Sequence, residues 1–243
     1  MSDDARVALV TGAAGALGAA ICTRLEDDGY AVVGVDLVAE PPLVQADVGT
    51  AMGNAQIVDA AVERFGRLDV LVLNAGVQHV APIATFPEAE WDRLFDVMVK
   101  GPFLAMRAAW PALTARPGGR VVMTASTSSF VAEARKSAYV SAKHALLGLM
   151  KVAALEGAEH GLTVNAVAPG WMLTPMAERQ VQDRVAASHG SYDAAVADLL
   201  AGQPVKRFVT LDEVARVVAF LADPGASAVT GVAVPVDLGA LVV

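Results

Sequence analysis

Short, wholly apolar runs alternate along the chain with longer stretches of helical period. Arg6 to Thr11 is β-branched and aliphatic and ends in glycines, while Ala16 to Asp28 is rich in Ala and Leu with charges gathered at Arg24, Glu26 and Asp27. That pair predicts a strand followed by a helix. The alternation recurs, with strands near Ala31–Asp36 and Leu43–Ala46, a helix near Ala51–Phe65, a strand at Leu68–Leu73, a helix near Glu88–Leu113 and a strand at Arg120–Thr124. Beyond these are expected a helix near Ala138–Glu159, a strand at Thr163–Ala168, an irregular stretch with helical pieces from Thr174 to Gly202, a helix near Leu211–Ala222 and a last strand at Val232–Val236. Thr210 and Glu213 spell a capping box for the late helix, and Pro224-Gly225 stops it. Strands that read Val/Leu/Ala throughout offer no polar face to water, so they belong in a parallel sheet covered by helices on both sides. The expectation is a doubly wound α/β fold. With no Pro/Ser-rich linker, no repeat and no low-complexity tract beyond alanine abundance, residues 1–243 read as a single domain, 173–203 being the segment expected to cover the substrate.

Composition narrows the function classes. The chain has 243 residues, with 18 Lys+Arg against 26 Asp+Glu and a net charge of −8, so no basic surface for nucleic acid is expected. Apolar residues make up 55%, yet uncharged stretches such as Val70 to Pro87 carry Asn74, Gly76, Gln78, His79 and Pro82, which would be expensive in lipid. The start, Met1-Ser2-Asp3-Asp4, is acidic and is followed by too short an apolar run for a secretory signal, which predicts a cytoplasmic chain. Cys22 is the one cysteine; it reads as a small apolar residue on a buried helix face. No His/Asp/Glu set has metal-ligand spacing, and no metal is expected.

Candidate chemistry collects where strands end. Thr11-Gly12-Ala13-Ala14-Gly15-Ala16-Leu17-Gly18 joins the first strand to the first helix, where glycines permit a tight turn and close approach of a pyrophosphate to unpaired helix N–H groups. Asp36, about twenty residues on, can accept hydrogen bonds from ribose hydroxyls, and no neighbouring Arg or Lys is present to neutralise a 2′-phosphate, which favours NAD. Tyr139 and Lys143 stand one helical turn apart on one face. A phenol needs help to act as a base; a cation at about 4 Å supplies at most about 4 kcal/mol, or about 3 pKa units, before desolvation subtracts. Ser126 follows the fifth strand at the carboxyl edge, where ligands of such sheets bind. Each feature alone also has a plain reading: a loop-starting Asp36, an incidental Tyr139 and Lys143, a turn-forming Ser126.

Taken together, the glycine turn, Asn74-Ala75-Gly76, Ser126 thirteen residues before Tyr139, Lys143, and Pro169-Gly170 followed by Thr174 resemble the short-chain dehydrogenase/reductase family in order and spacing across essentially the whole chain. The resemblance implies a Rossmann-type fold and a catalytic set of Ser126, Tyr139 and Lys143. It further implies that Gly12, Gly15, Leu17, Gly18, Asp36, Asp47, Val48, Asn74, Gly76, Pro169, Gly170 and Thr174, with Tyr139 and Lys143, hold NAD, in a homotetramer. Three departures stand out. Ala16 occupies a usual glycine position, Met98 stands where the family commonly has a proton-relay asparagine, and only ten residues separate Asp36 from Asp47, so the helix between the second and third strands is shortened or missing.

A narrower resemblance, to bacterial D-3-hydroxybutyrate dehydrogenases, rests on Asn74 through Ile83, Lys136-Ser137-Ala138-Tyr139, and Pro169-Gly170-Trp171 through Gln180. It implies a substrate carboxylate held by Gln78, Lys136 and Gln180 beside Ser126 and Tyr139, with Trp171 walling the pocket and Ser128 standing where those enzymes commonly carry a histidine. Plainer readings remain: Lys136 as a solvated loop lysine, Trp171 as a core or interface aromatic, His79 as a structural loop histidine. The function expected is an NAD-dependent oxidoreductase interconverting a secondary alcohol and a ketone on a small 3-hydroxy acid. The alternatives are the same fold acting on a cyclic dihydrodiol or sugar derivative, and a catalytically weak NAD-binding regulatory protein.

Overall fold

A computed structural model describes residues 5–188 and 190–242; the acidic stretch 1–4 lies outside the described residues. The strands β1 (Val7–Thr11), β2 (Ala31–Asp36), β3 (Val44–Gln45), β4 (Val70–Leu73), β5 (Arg120–Thr124), β6 (Thr163–Pro169) and β7 (Ala233–Val236) form one sheet of order β3-β2-β1-β4-β5-β6-β7. Every pairing is parallel, from Val7 opposite Ala31 on one side of β1 to Ala8 opposite Val70 on the other. This is the doubly wound Rossmann-type sheet.

Alternation of side chains explains why the strands are apolar throughout. In β1, Val7 and Leu9 join the core on one face with Ile57, Leu71, Met123, Leu146 and Met150. Ala8 and Val10 point the other way, into a second core with Ile21, Leu25, Val72, Val122, Val218 and Leu221. Helices α1 (Ala16–Asp27), α2 (Ala51–Phe65), α3 (Glu88–Phe95), α4 (Gly101–Thr114) and α5 (Ser137–Gly157) follow in chain order. Then come α6 (Pro175–Ser188), α7 (Tyr192–Leu199) and α8 (Leu211–Ala222). α1 packs beside α8 on one face and α2 beside α4 on the other. The capping box of α8 forms in full: the Thr210 hydroxyl accepts from the Glu213 N–H, and the Glu213 carboxylate accepts from the Thr210 N–H.

Several boundaries differ from expectation. The helix expected over Glu88–Leu113 is broken by a π turn, Asp96–Lys100, between α3 and α4. The wider loop inserts a residue without interrupting the apolar pattern, so periodicity could not reveal it. The third strand pairs only at Val44 and Gln45. The fourth begins at Val70, since Asp69 turns its carboxylate onto the Val7 N–H at 2.8 Å. The helical pieces expected between Thr174 and Gly202 are α6 and α7, which take up most of that stretch and share a small core of Val181, Ala195 and Leu199 with Trp171, Val185 and Phe208 around it. No helix lies between β2 and β3. Among the described residues, no helix is long and apolar enough to cross a membrane.

Candidate active site

Strand order reverses between β1 and β4, and a cavity of about 540 Å³ opens there over the carboxyl ends of the strands. Gly12, Gly15, Leu17 and Gly18 line it from the glycine turn, Asp36 from the end of β2, Asp47 and Val48 from the loop after β3, and Asn74 and Gly76 from the loop after β4. Ser126, Tyr139, Lys143, Pro169, Gly170 and Thr174 complete the wall.

The turn needs its glycines for different reasons. Gly12 has φ +70, and a Cβ there would come within 2.9 Å of the Ala75 Cα. On Gly18 a Cβ would lie 2.0 Å from the Gly12 carbonyl oxygen, so the first turn of α1 packs on the loop only because that side chain is absent. The N-cap of α1, Gly15, has no side chain to satisfy the first N–H groups of the helix. This bare, close-packed turn suits a pyrophosphate. Asp36 accepts from the Ala14 N–H at 3.0 Å and the Leu37 N–H at 2.8 Å, which aims its carboxylate along the same rim.

Asn74 sits beside the cavity, but its side chain is spent on the scaffold. Its Nδ2 donates to the carbonyls of Thr11 (3.1 Å) and Gly12 (3.3 Å), and its Oδ1 accepts from the Thr124 hydroxyl (3.2 Å). The Thr11 hydroxyl accepts from the N–H groups of Asn74 and Ala75 at 3.0 and 3.1 Å. Thr11 and Thr124, which sequence reasoning passed over, thus tie β1, β4 and β5 together at the cavity floor.

Tyr139 and Lys143, one turn apart on α5, both reach this floor. Burial pushes the Tyr139 phenol up to about 12, the Ser126 hydroxyl bonded to it pulls the other way, and the Glu133 charge adds to the rise. The expected lowering by Lys143 is not among these influences, and desolvation leads. The lysine turns its Nζ onto the Thr124 carbonyl at 2.6 Å, 5.6 Å from the centre of the Tyr139 ring, and its own burial pushes it down to about 8. Met98, 1% exposed, packs with Leu94, Ala138 and Ala142 against Tyr139, so the expected relay position is apolar.

A smaller cavity of about 90 Å³ adjoins the first and is lined by Gln78, Ser126, Ser128, Lys136, Tyr139, Trp171 and Gln180, which brings together every residue expected to touch substrate. The Gln180 Nε2 donates to the Gln78 Oε1 at 2.9 Å. Lys136 is 5% exposed, so it is no solvated loop lysine, and its Nζ stands 4.5 Å from the centre of the Trp171 ring. One residue here was missed. Glu133 takes the Lys136 ammonium at 2.7 Å and accepts from the Ser128 hydroxyl at 2.8 Å. Its signal was Glu133-x-x-Lys136, ahead of rather than on the tyrosine helix. His79 lies outside this cluster, 3.8 Å from Glu90 and edge-on to Phe86. Cys22 is half-buried, and burial raises its thiol to about 11.

Residues 6–185 match the family model for short chain dehydrogenase. An uncharacterized oxidoreductase of Bacillus subtilis is 39% identical, with 96% of this chain and 97% of that one covered. D-beta-hydroxybutyrate dehydrogenase of Rhizobium meliloti is 37% identical over 96% of this chain and 98% of its own. Among solved structures, ligand-free aldohexose dehydrogenase of Thermoplasma acidophilum superposes with a TM-score of 0.90 at 30% identity, covering 99% of this chain and 96% of that one. The chain belongs to the short-chain dehydrogenase family and is an oxidoreductase.

Proposed function

We propose that this protein interconverts a secondary alcohol and a ketone with NAD, in one domain that carries both the cofactor and the substrate seat. The observation that carries the reading is that Ser126, Tyr139 and Lys143 face the same cavity as the bare glycine turn and Asp36. The turn from Gly12 to Gly18 would hold the pyrophosphate, Asp36 the adenosine ribose, Asp47 and Val48 the adenine edge, and the segment from Asn74 to Gly76 with Pro169, Gly170 and Thr174 the nicotinamide side. A carboxylate at Asp36 repels a 2′-phosphate, which is why NAD is preferred to NADP. When bound, the nicotinamide supplies the hydride chemistry.

The protein's own part is to place the substrate and move one proton at the Tyr139 hydroxyl. Ser126 donates to the substrate oxygen while that oxygen shares a proton with the phenol. In reduction, burial keeps the phenol protonated and ready to give its proton to the nascent alkoxide. In oxidation the same oxygen takes the hydroxyl proton, and the buried Lys143 ammonium, 5.6 Å from the centre of the ring, is the group that would steady a phenolate. With Met98 apolar, the onward path for the proton runs by water or backbone carbonyls.

The substrate we propose is a short 3-hydroxy acid such as 3-hydroxybutyrate, seated in the smaller cavity between Trp171 and the paired amides of Gln78 and Gln180. The similarity to a D-beta-hydroxybutyrate dehydrogenase supports this. A cyclic diol or a sugar derivative is the second reading; it is favoured by the neutralisation of Lys136 by Glu133 and by the likeness to an aldohexose dehydrogenase. For the assembly we propose a homotetramer, consistent with the exposed Phe103 on α4 and Val152 and Leu155 on α5. The test is a turnover screen with NAD and NADP against 3-hydroxybutyrate, its methyl ester, cyclic diols and aldoses. Reduction of NAD by a 3-hydroxy compound supports the reading. A chain that melts higher with NAD yet reduces none with any alcohol would be a binding protein instead.

A further inference from the structure

The smaller cavity holds two charged side chains among its described lining residues, and they cancel. Lys136 and Glu133 are 2.7 Å apart, and the second Glu133 oxygen takes the Ser128 hydroxyl at 2.8 Å, so both donors on that wall already serve a carboxylate. The pair is held by the backbone as well as by charge. Arg135 between them has φ +68, a conformation rare for a residue with a side chain, and the Lys136 N–H turns back toward the Glu133 carbonyl at 3.4 Å. That turn aims both side chains at the cavity, and the Arg135 carbonyl is itself tied to the Ala81 N–H at 2.9 Å. Glu133 is half-buried and Lys136 buried; the Lys136 ammonium is also flanked by the Trp171 ring and feels the charge of Arg184, whose own partner is Asp198 at 3.4 Å.

We propose that Glu133 is a specificity-determining residue that fills, from within the chain, the place a substrate anion would take on Lys136 and Ser128. An incoming carboxylate meets no net positive charge there and must displace Glu133 or accept its repulsion. A neutral group with hydrogen-bonding oxygens meets neither obstacle and can pair with the amides of Gln78 and Gln180. Glu133 therefore narrows the margin by which the site holds the proposed 3-hydroxy acid over an uncharged polar counterpart such as an ester or amide. This rests on the proposed 3-hydroxy acid and assigns the residue that limits its affinity.

The experiment compares wild type with Glu133→Gln, which keeps the volume and removes the charge. KM and kcat are measured for 3-hydroxybutyrate and its methyl ester, alongside calorimetric binding of butyrate to the NAD-loaded protein. The expected result is a fall of tenfold or more in KM for the acid and a matching tightening of butyrate, with KM for the ester changed less than threefold; any change in kcat, which feels the Glu133 charge through Tyr139, is the same for both compounds. Equal shifts for acid and ester, or unchanged butyrate binding in a folded variant, would overturn the assignment. Should the glutamine variant not fold, Glu133→Ala is judged by the same criteria. If wild type turns over neither compound, the proposed function fails on its own, and the butyrate comparison still decides the role of Glu133.

Discussion

On the glycine-turn side of the large cavity, polar side chains are matched by backbone groups of the strand ends and the turn: Asn74 by the Thr11 and Gly12 carbonyls, Asp36 by the Ala14 and Leu37 N–H groups. On the Trp171 side the pairings join side chains from separate segments, Gln180 of α6 to Gln78 of the β4–α3 loop and Lys136 to a glutamate in a loop of unusual backbone. The first side is scaffold and binding surface at once, so altering it should disturb folding and cofactor together. The second is supported by a small core of its own, so it can change its chemistry with less effect on the sheet.

The largest effect belongs to the group the two sides share. Tyr139→Phe should cut turnover more than a hundredfold, about 2.7 kcal/mol of barrier, while NAD affinity by calorimetry stays within about twofold. Retention of more than a tenth of the rate would remove Tyr139 from the chemistry. Asp36→Ala should lower the preference for NAD over NADP by about ten- to a hundred-and-fiftyfold, the worth of a hydrogen bond to a charged group. An unchanged ratio would break the reading of the glycine-turn side.

Gly18→Ala sharpens the contrast in stability. Its methyl group has no room against the Gly12 carbonyl, and overpacking of about 1–3 kcal/mol at about 2–4 °C per kcal/mol predicts a melting temperature lower by roughly 2–12 °C. Trp171→Ala, on the other side, should raise substrate KM with NAD affinity intact.

The buried lysine supplies a pH test. With Lys143 held near 8 against its ordinary 10.5, the folded chain binds fewer protons than the unfolded chain between those values, so stability from this group rises with pH there. The raised Tyr139 opposes it only above about 10. From pH 8 to 9.5 wild type should therefore gain melting temperature relative to Lys143→Met; parallel curves would refute it. The smallest change in rate is expected of Met98→Asn, within about threefold, since the site already works without that amide. The buried amide among Leu94, Ala138 and Ala142 should instead show as a lower melting temperature. A rise of orders of magnitude from near zero would mean that Met98 had silenced the enzyme.

What the sequence disclosed follows the same division. β1, the glycine turn, Asp36 and the Thr210 capping box are local patterns, each legible because the partners lie within one strand, turn or helix start. The Asp96–Lys100 π turn escaped because Val97, Met98 and Val99 keep an apolar run through it. Glu133 escaped because its three-residue spacing to Lys136 means little outside a helix; only the left-handed Arg135 turns the two inward together. Helical spacing puts Lys143 on the same face as Tyr139 but does not report that its Nζ turns onto the Thr124 carbonyl, or that burial of the phenol leads.

The separate core beneath α6 and α7 also bears on inheritance. Val181, Ala195 and Leu199 close on one another against Trp171 and Phe208, with Gln180 reaching Gln78, so α6 and α7 carry a core separate from the two that cover the sheet. Recombination that exchanged this stretch with a relative's, preserving those two aromatic contacts, would transplant a substrate wall in a single event. The range of alcohols accepted could then drift far faster than the sheet beneath it.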